Sequence, residues 1–282
     1  MNDQVSAPPP LPNCPRHADR LATRACTRCT RPWCGHCLTP VAVGSHCPEC
    51  IRAARPPLRI RLADRRAAQP VLVTKVLMVV NIAVFLWVVA DQGRAVSTVG
   101  VVSWRQVDLG LTEDFLADGQ WYRLVSSGFL HFGVFHLLMN MVLLFQLGNM
   151  LEPALGHLRF GLTYLAALLG GSAGAMVLQP SGLHGGASGA VFGLMAAAAV
   201  GLQQRGVNPF RTGIGTILAL NLLITFTIPG ISIGGHLGGA VAGGVCALFV
   251  LDPSRRRPAW WGVTAPVIVA VVAVVIPVVI VS

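Results

Sequence analysis

Seven stretches of the chain approach or exceed the roughly 18 apolar residues that mark a membrane span. They cover residues 72–90, 134–151, 158–178, 187–204, 212–228, 233–251 and 264–281. The fifth is short and is closed by Pro229-Gly230, and Pro277 should kink or fray the last. With 54% of residues hydrophobic and 11% charged, too little charge remains to cover a soluble surface. The chain therefore reads as an all-α polytopic membrane protein.

Charge orients it. Residues 1–70 carry eleven Arg against four acids (Asp3, Asp19, Glu49, Asp64). Such a segment alone would raise nucleic acid as a partner. Beside a first span it is better read as a topology signal in contact with anionic lipid. Residues 1–13, MNDQVSAPPPLPN, lack the basic and apolar regions of a signal peptide, so the N-terminus is expected in the cytosol. Alternating spans then put Arg159, Arg205, Arg211 and Arg255–Arg257 in cytosolic connections, while the outer connections 179–186 and 229–232 carry no Lys or Arg. The long outer segment 91–133 has Arg94, Arg105 and Arg123, offset by Asp91, Asp108, Glu113, Asp114 and Asp118. The use of twenty Arg and one Lys (Lys75), with abundant Ala, Gly and Pro, points to a GC-rich bacterial genome and hence to the bacterial cytoplasmic membrane.

This topology brings chemistry to one depth. Ser188, in GGASGAVFG, starts the fourth span; His236, in IGGHLGGAVAGG, starts the sixth; His136 and Asn140 lie in the first turns of the second. At about 1.5 Å rise per residue all four fall within roughly 10 Å of the outer boundary. Polar side chains inside spans are functional candidates, although Ser, Asn and His also serve as interhelical glue. Gly189 and Gly193 on the fourth span, and Gly235, Gly239 and Gly243 on the sixth, repeat every four residues. Small residues so spaced let backbones approach closely, which a hydroxyl needs in order to reach an imidazole on another helix. An alcohol nucleophile requires an adjacent base and donors for the developing oxyanion. His136 and Asn140, one turn apart, and backbone N–H groups near Ser188 are the candidate donors. No carboxylate is placed to complete a triad: after Asp118 the acids are Glu152 and Asp252, both at cytosolic ends. A Ser-His dyad is the simpler inference.

Residues 72–251 resemble a rhomboid intramembrane serine protease. GASG at 186–189 matches the family's G-x-S-G, HLLMN at 136–140 its H-x-x-x-N, and GHLGG at 235–239 its sixth-helix motif. The resemblance implies a six-helix core, with water entering from the outer face and transmembrane substrates entering laterally. It implies Ser188 and His236 as catalytic dyad and His136 with Asn140 as oxyanion donors. Arg123, in Trp121-Tyr122-Arg123, matches the Arg of the family's first outer loop, with Tyr122 where Trp is usual; its expected role is to tie the loop together. Phe192 is placed to stack on His236 or simply to pack. His131, His157 and His184 read as loop histidines, Cys246 as an inert buried thiol, and the seventh span as an appended C-terminal helix.

The N-terminal cysteines form four paired knuckles: Cys14-x2-His17, Cys26-x2-Cys29, Cys34-x2-Cys37 and Cys47-x2-Cys50. Eight N and S ligands suit two tetrahedral Zn2+ ions, with His36 and His46 adjacent and able to substitute. Disulfides are disfavoured in the cytosol, and a segment this poor in aliphatic residues needs a staple. The arrangement resembles cross-braced B-box-type modules. That likeness implies one ion on Cys14, His17, Cys34 and Cys37 and another on Cys26, Cys29, Cys47 and Cys50. Closed four-ligand sites are structural, so the module is expected to bind an unknown cytosolic partner or to regulate the enzyme.

The chain thus divides into a disordered tail (1–13), a zinc-binding module (14–50), a basic linker (51–71), a rhomboid core (72–251), and a cytosolic loop with an extra helix (252–282). The leading function is endoproteolysis of transmembrane segments near their outer end. The competing functions are an inactive rhomboid-like protein that binds membrane clients for transport or quality control, and a small-solute transporter. Intact Ser188 and His236 argue against the first, and polar groups at the outer end instead of the midplane argue against the second.

Overall fold

A computed structural model describes residues 10–57, 60, 70–91, 102–253 and 258–281. Residues 1–9 of the tail, Arg59, Arg61, Arg65 and Arg66 of the linker, and Arg94 and Arg255–Arg257 of the topology argument lie outside the described residues. The chain divides into two units, Met1–Arg65 and Arg66–Ser282.

In the first unit, three antiparallel hairpins present the cysteines. β1 (Asn13–Cys14) pairs with β2 (His17–Leu21), β3 (Arg24–Ala25) with β4 (Pro32–Trp33), and β5 (Thr39–Pro40) with β6 (Ser45–His46). Helix α1 (Pro48–Ala53) follows, carrying ordered chain past Cys50. Hairpins this short do not stabilise themselves. The buried cluster that holds them consists of Cys14, Cys26, Cys34, Cys37 and Cys47 with Trp33 and Leu38, so the interior is mostly sulfur.

The second unit is helical. Helix α2 (Leu72–Asp91) is followed by three short helices, α3 (Trp104–Leu109), α4 (Glu113–Ala117) and α5 (Arg123–Ser126). Six longer helices come next: α6 (Val134–Leu155), α7 (His157–Leu178), α8 (Ser188–Gln203), α9 (Ile214–Thr227), α10 (Ile233–Val250) and α11 (Trp261–Val281). Five helices, α2, α6, α7, α10 and α11, are long and apolar enough to cross a membrane, and the protein is a multi-pass membrane protein. The other two expected spans are shorter. With 16 and 14 residues, α8 and α9 rise about 24 and 21 Å, less than the roughly 30 Å of hydrocarbon. Helix α8 tolerates this because protein surrounds it: every residue from Gly189 to Met195 is buried. In α9 only Gly215 and Thr225 are buried, and Leu220, Leu223 and Phe226 are exposed.

Glycine brings α10 against two helices at once. A Cβ on Gly239 would lie 2.0 Å from Gly189 O, and one on Gly243 would lie 2.1 Å from Gly193 O, both on α8. On its other side, a Cβ on Gly234 would lie 2.1 Å from Gly174 O, and one on Gly238 would lie 2.2 Å from Gly170 O, both on α7. The α8 seam follows the four-residue spacing in the sequence; the α7 seam is a second one on the same helix. These neighbours are backbone atoms, which cannot swing aside. Gly239→Val is therefore expected to separate α8 from α10, destabilising the bundle by on the order of 3 kcal/mol. Thermal unfolding in detergent checks this; a variant with the parental midpoint would show that the seam is not tight.

A buried carboxylate closes one end of the bundle. Glu152, near the end of α6, accepts hydrogen bonds from Val73 N (2.8 Å), Thr74 N (2.8 Å) and Thr74 Oγ1 (2.5 Å), and pairs with His157 Nδ1 at 2.6 Å. It satisfies N–H groups at the start of α2, which would otherwise be unpaired. His157 is thus the first residue of α7 and a partner of Glu152, which corrects its reading as a loop histidine.

Candidate active site

The segment before Ser188 is pinned from outside the bundle. Leu111 N donates to His184 O (3.0 Å) and His184 N to Leu111 O (2.9 Å), and Gly186 N donates to Ser127 O (2.8 Å). The segment carrying Leu111 is itself tied by Arg123. Its Nε donates to Gln120 Oε1 at 2.7 Å, its Nη1 donates to Val107 O and to Gly110 O, and its guanidinium lies over the Phe115 ring. Arg123 is buried in this loop and makes no contact with Ser188 or His236 among these bonds, as expected for a tying residue.

Ser188 is the first residue of α8, and His236 is the fourth of α10, whose N-cap Ser232 accepts from Gly235 N at 3.1 Å. The glycine seam sets the two side chains together: Ser188 Oγ lies 2.9 Å from His236 Nε2. Phe192, one turn after Ser188, stacks on the imidazole with centroids 4.1 Å apart and planes 17° from parallel. On the far side of the ring, Nδ1 lies 2.7 Å from Thr225 Oγ1 of α9.

His136 joins the group and Asn140 does so less directly. Gly186 has φ +135°, and a Cβ there would lie 2.9 Å from His136 Nε2 and 3.5 Å from Ser188 Oγ. Absence of that Cβ lets the second imidazole and the hydroxyl face one space. Phe132 N donates to His136 Nδ1 at 3.4 Å; a backbone N–H only donates, so the proton of neutral His136 sits on Nε2. Asn140 is buried, and its Nδ2 donates to His136 O of its own helix at 2.8 Å. His131 packs its ring 5.0 Å from that of His136. Burial first, and then the neighbouring His136, push the His131 imidazole down to about 3, so it is neutral at physiological pH. His184, whose Nε2 lies 2.6 Å from Gln179 O, is also lowered by burial. A small cavity adjoins the hydroxyl, lined by Ser127, Ser172, His184 and Ser188 together with Leu111, Leu168 and Ala175.

In the first unit the eight knuckle residues gather into two sets: Cys14, His17, Cys34 and Cys37, and Cys26, Cys29, Cys47 and Cys50. Within each set the ligand atoms lie within 4.8 Å of one another. The spacing fits a metal. Tetrahedral Zn–S bonds of about 2.3 Å put sulfurs about 3.8 Å apart, whereas a disulfide needs about 2.05 Å. Cys14 and Cys37 Sγ are 3.8 Å apart, as are Cys29 and Cys47 Sγ, and His17 Nδ1 is 3.4 and 3.3 Å from Cys34 and Cys37 Sγ. His36 and His46 belong to neither set.

The rhomboid domain family matches residues 118–253, which include Ser188, His236, His136 and Asn140. "Putative rhomboid protease YdcA" of Bacillus subtilis is 33% identical over 161 residues, covering 56% of this chain and 80% of that protein. The chain belongs to the rhomboid family. Rhomboid protease GluP of Bacillus subtilis is 36% identical over 141 residues, covering 49% of this chain and 28% of GluP. Rhomboid-type serine protease 2 of Emericella nidulans is 30% identical over 159 residues, covering 52% of this chain and 31% of that protein. The chain thus spans less than a third of the length of two of these rhomboid relatives. The family match begins after the cysteine module and ends before α11.

Proposed function

We propose that the protein is an intramembrane serine endopeptidase in which Ser188 is the nucleophile and His236 the base. The observation that carries this is the 2.9 Å approach of Ser188 Oγ to His236 Nε2 at the end of two helices packed through glycine. Ser188 Oγ attacks the scissile carbonyl carbon and passes its proton to His236 Nε2. The imidazolium then protonates the leaving amine as the C–N bond breaks. Water, deprotonated by the same nitrogen, hydrolyses the acyl-enzyme ester and frees Ser188. The neutral His136 Nε2–H, which faces the space beside Ser188, supplies a donor to the oxyanion. Asn140 holds the His136 turn through one amide hydrogen and has a second to offer.

The substrate class proposed is the transmembrane segment of another membrane protein, cut near its outer end. In this reading the enzyme lies in the bacterial cytoplasmic membrane with its N-terminus in the cytosol and its active site opening to the outer face. Support comes from the Arg-bearing connections on one side and, on the other, the short Arg-free connections 179–186 and 229–232. The thiol-rich ligand sets would hold two structural Zn2+ ions, and the module would engage a cytosolic partner.

The test is cleavage of a fluorogenic transmembrane substrate in proteoliposomes, with the cut mapped by mass spectrometry. Cleavage near the outer end of the segment is expected; a cut only in a soluble loop would contradict the assignment. His136→Ala and Asn140→Ala should each lower kcat about a hundredfold with KM little changed, the usual loss for an oxyanion donor of roughly 3 kcal/mol. Unchanged kcat in both would remove them from the mechanism.

A further inference from the structure

Among the described residues no carboxylate bonds to His236, which leaves a question of tautomer. His236 Nε2 accepts the Ser188 proton only if Nδ1 carries the ring hydrogen, and free imidazole does not fix that choice. Thr225 answers it by geometry. Its Oγ1 is 2.7 Å from Asn221 O and 2.7 Å from His236 Nδ1. A carbonyl oxygen cannot donate, so the single hydroxyl hydrogen goes to Asn221 O. The lone pairs of Oγ1 are left to accept from Nδ1–H. Reversing the bond would turn two acceptors toward each other at 2.7 Å on the Asn221 side. Each ring nitrogen of His236 then has one partner, Ser188 or Thr225, and Phe192 covers a face.

The comparison with Thr227 on the same helix separates this from ordinary helix chemistry. Thr227 Oγ1 donates only to backbone, to Leu223 O and Ile224 O, and the residue is exposed. Thr225 makes the same backbone bond and adds the imidazole, and it is 2% exposed on a helix whose other buried residue is Gly215. We propose that Thr225 is a positioning residue for the Ser188-His236 pair, which holds His236 in the Nδ1–H tautomer and keeps Nε2 free to take the serine proton. This rests on the reading of Ser188 and His236 as nucleophile and base.

The test uses the full chain in lipid, with 15N-labelled histidine and His236 assigned by comparison with His236→Ala. In the parent protein His236 is expected as the Nδ1–H tautomer. Thr225→Val, which removes the hydroxyl at nearly constant volume, should give a mixture of tautomers and lower kcat about tenfold with KM unchanged. Thr225→Ser should restore both. An Nε2–H parent would overturn the proposal whether or not the variant folds. So would a Thr225→Val protein with parental kcat and tautomer, or a lowered kcat that serine does not rescue. The tautomer measurement needs no turnover, so a parent that shows Nδ1–H yet cleaves nothing would sink the protease reading and leave the Thr225 geometry standing.

Discussion

Ser188→Ala is expected to lower cleavage of a transmembrane substrate by roughly 10^4-fold or more, to the level of background. His236→Ala should do the same, and the double variant should be no worse than either, because nucleophile and base act as one unit. Ser188 is half-buried at the end of α8 and the α8–α10 seam is made by Gly189, Gly193, Gly239 and Gly243, whereas His236 is buried, stacks on Phe192 and bonds to Thr225. Ser188→Ala should therefore retain the parental thermal midpoint to within a few degrees, whereas His236→Ala, which empties the space beside Phe192, should fold with a lowered midpoint. Single-turnover assays in proteoliposomes check the loss. Residual turnover above a hundredth of the parent, with contaminating protease excluded, would contradict the roles assigned.

Metal removal is the second large effect, and it falls on the other unit. The buried cluster of the first unit contains two large apolar side chains, Trp33 and Leu38, among five cysteines. Without an ion, that interior offers little burial to offset the entropy of ordering, whereas structural zinc contributes about 10–16 kcal/mol per site at neutral pH. The parent chain is expected to hold two Zn2+ by elemental analysis. Strong chelation should unfold residues 14–50, freeing the backbone at Arg16, Arg20, Arg24 and Arg28, whose side chains are already exposed, for cleavage by trypsin. A chain beginning near residue 68 should still insert and cleave a generic substrate. Metal-free protein with an intact, protease-resistant module would overturn the metal reading, and a folded truncation without activity would overturn the division of labour.

Much of this was legible because polar residues stand out in apolar runs. Ser188, His236, His136 and Asn140 are visible for that reason, and the spacing of Gly235, Gly239 and Gly243 announces close approach. The knuckle spacing reveals ligand pairs, but how the pairs cross-brace came from resemblance. Other features are silent in sequence for physical reasons. Thr225 looks like Thr227, since either can satisfy its hydroxyl on its own helix; only the packing of α9 against α10 distinguishes them. Gly170 and Gly174 lie in a run where small residues abound, so the second seam of α10 does not stand out. Glu152 reads as a terminal charge, because its partners, Val73 and Thr74, are far away in sequence. The shortness of α8 was hidden too, since an apolar run reports burial without saying whether lipid or protein provides it.

The most direct measurement is covalent labelling of the purified protein with a fluorophosphonate probe, followed by mass-spectrometric mapping. Only a hydroxyl activated by a neighbouring base reacts readily. One labelled residue is expected, Ser188, with labelling lost in His236→Ala. A folded protein that takes up no label, or takes it on another residue, would contradict the assignment.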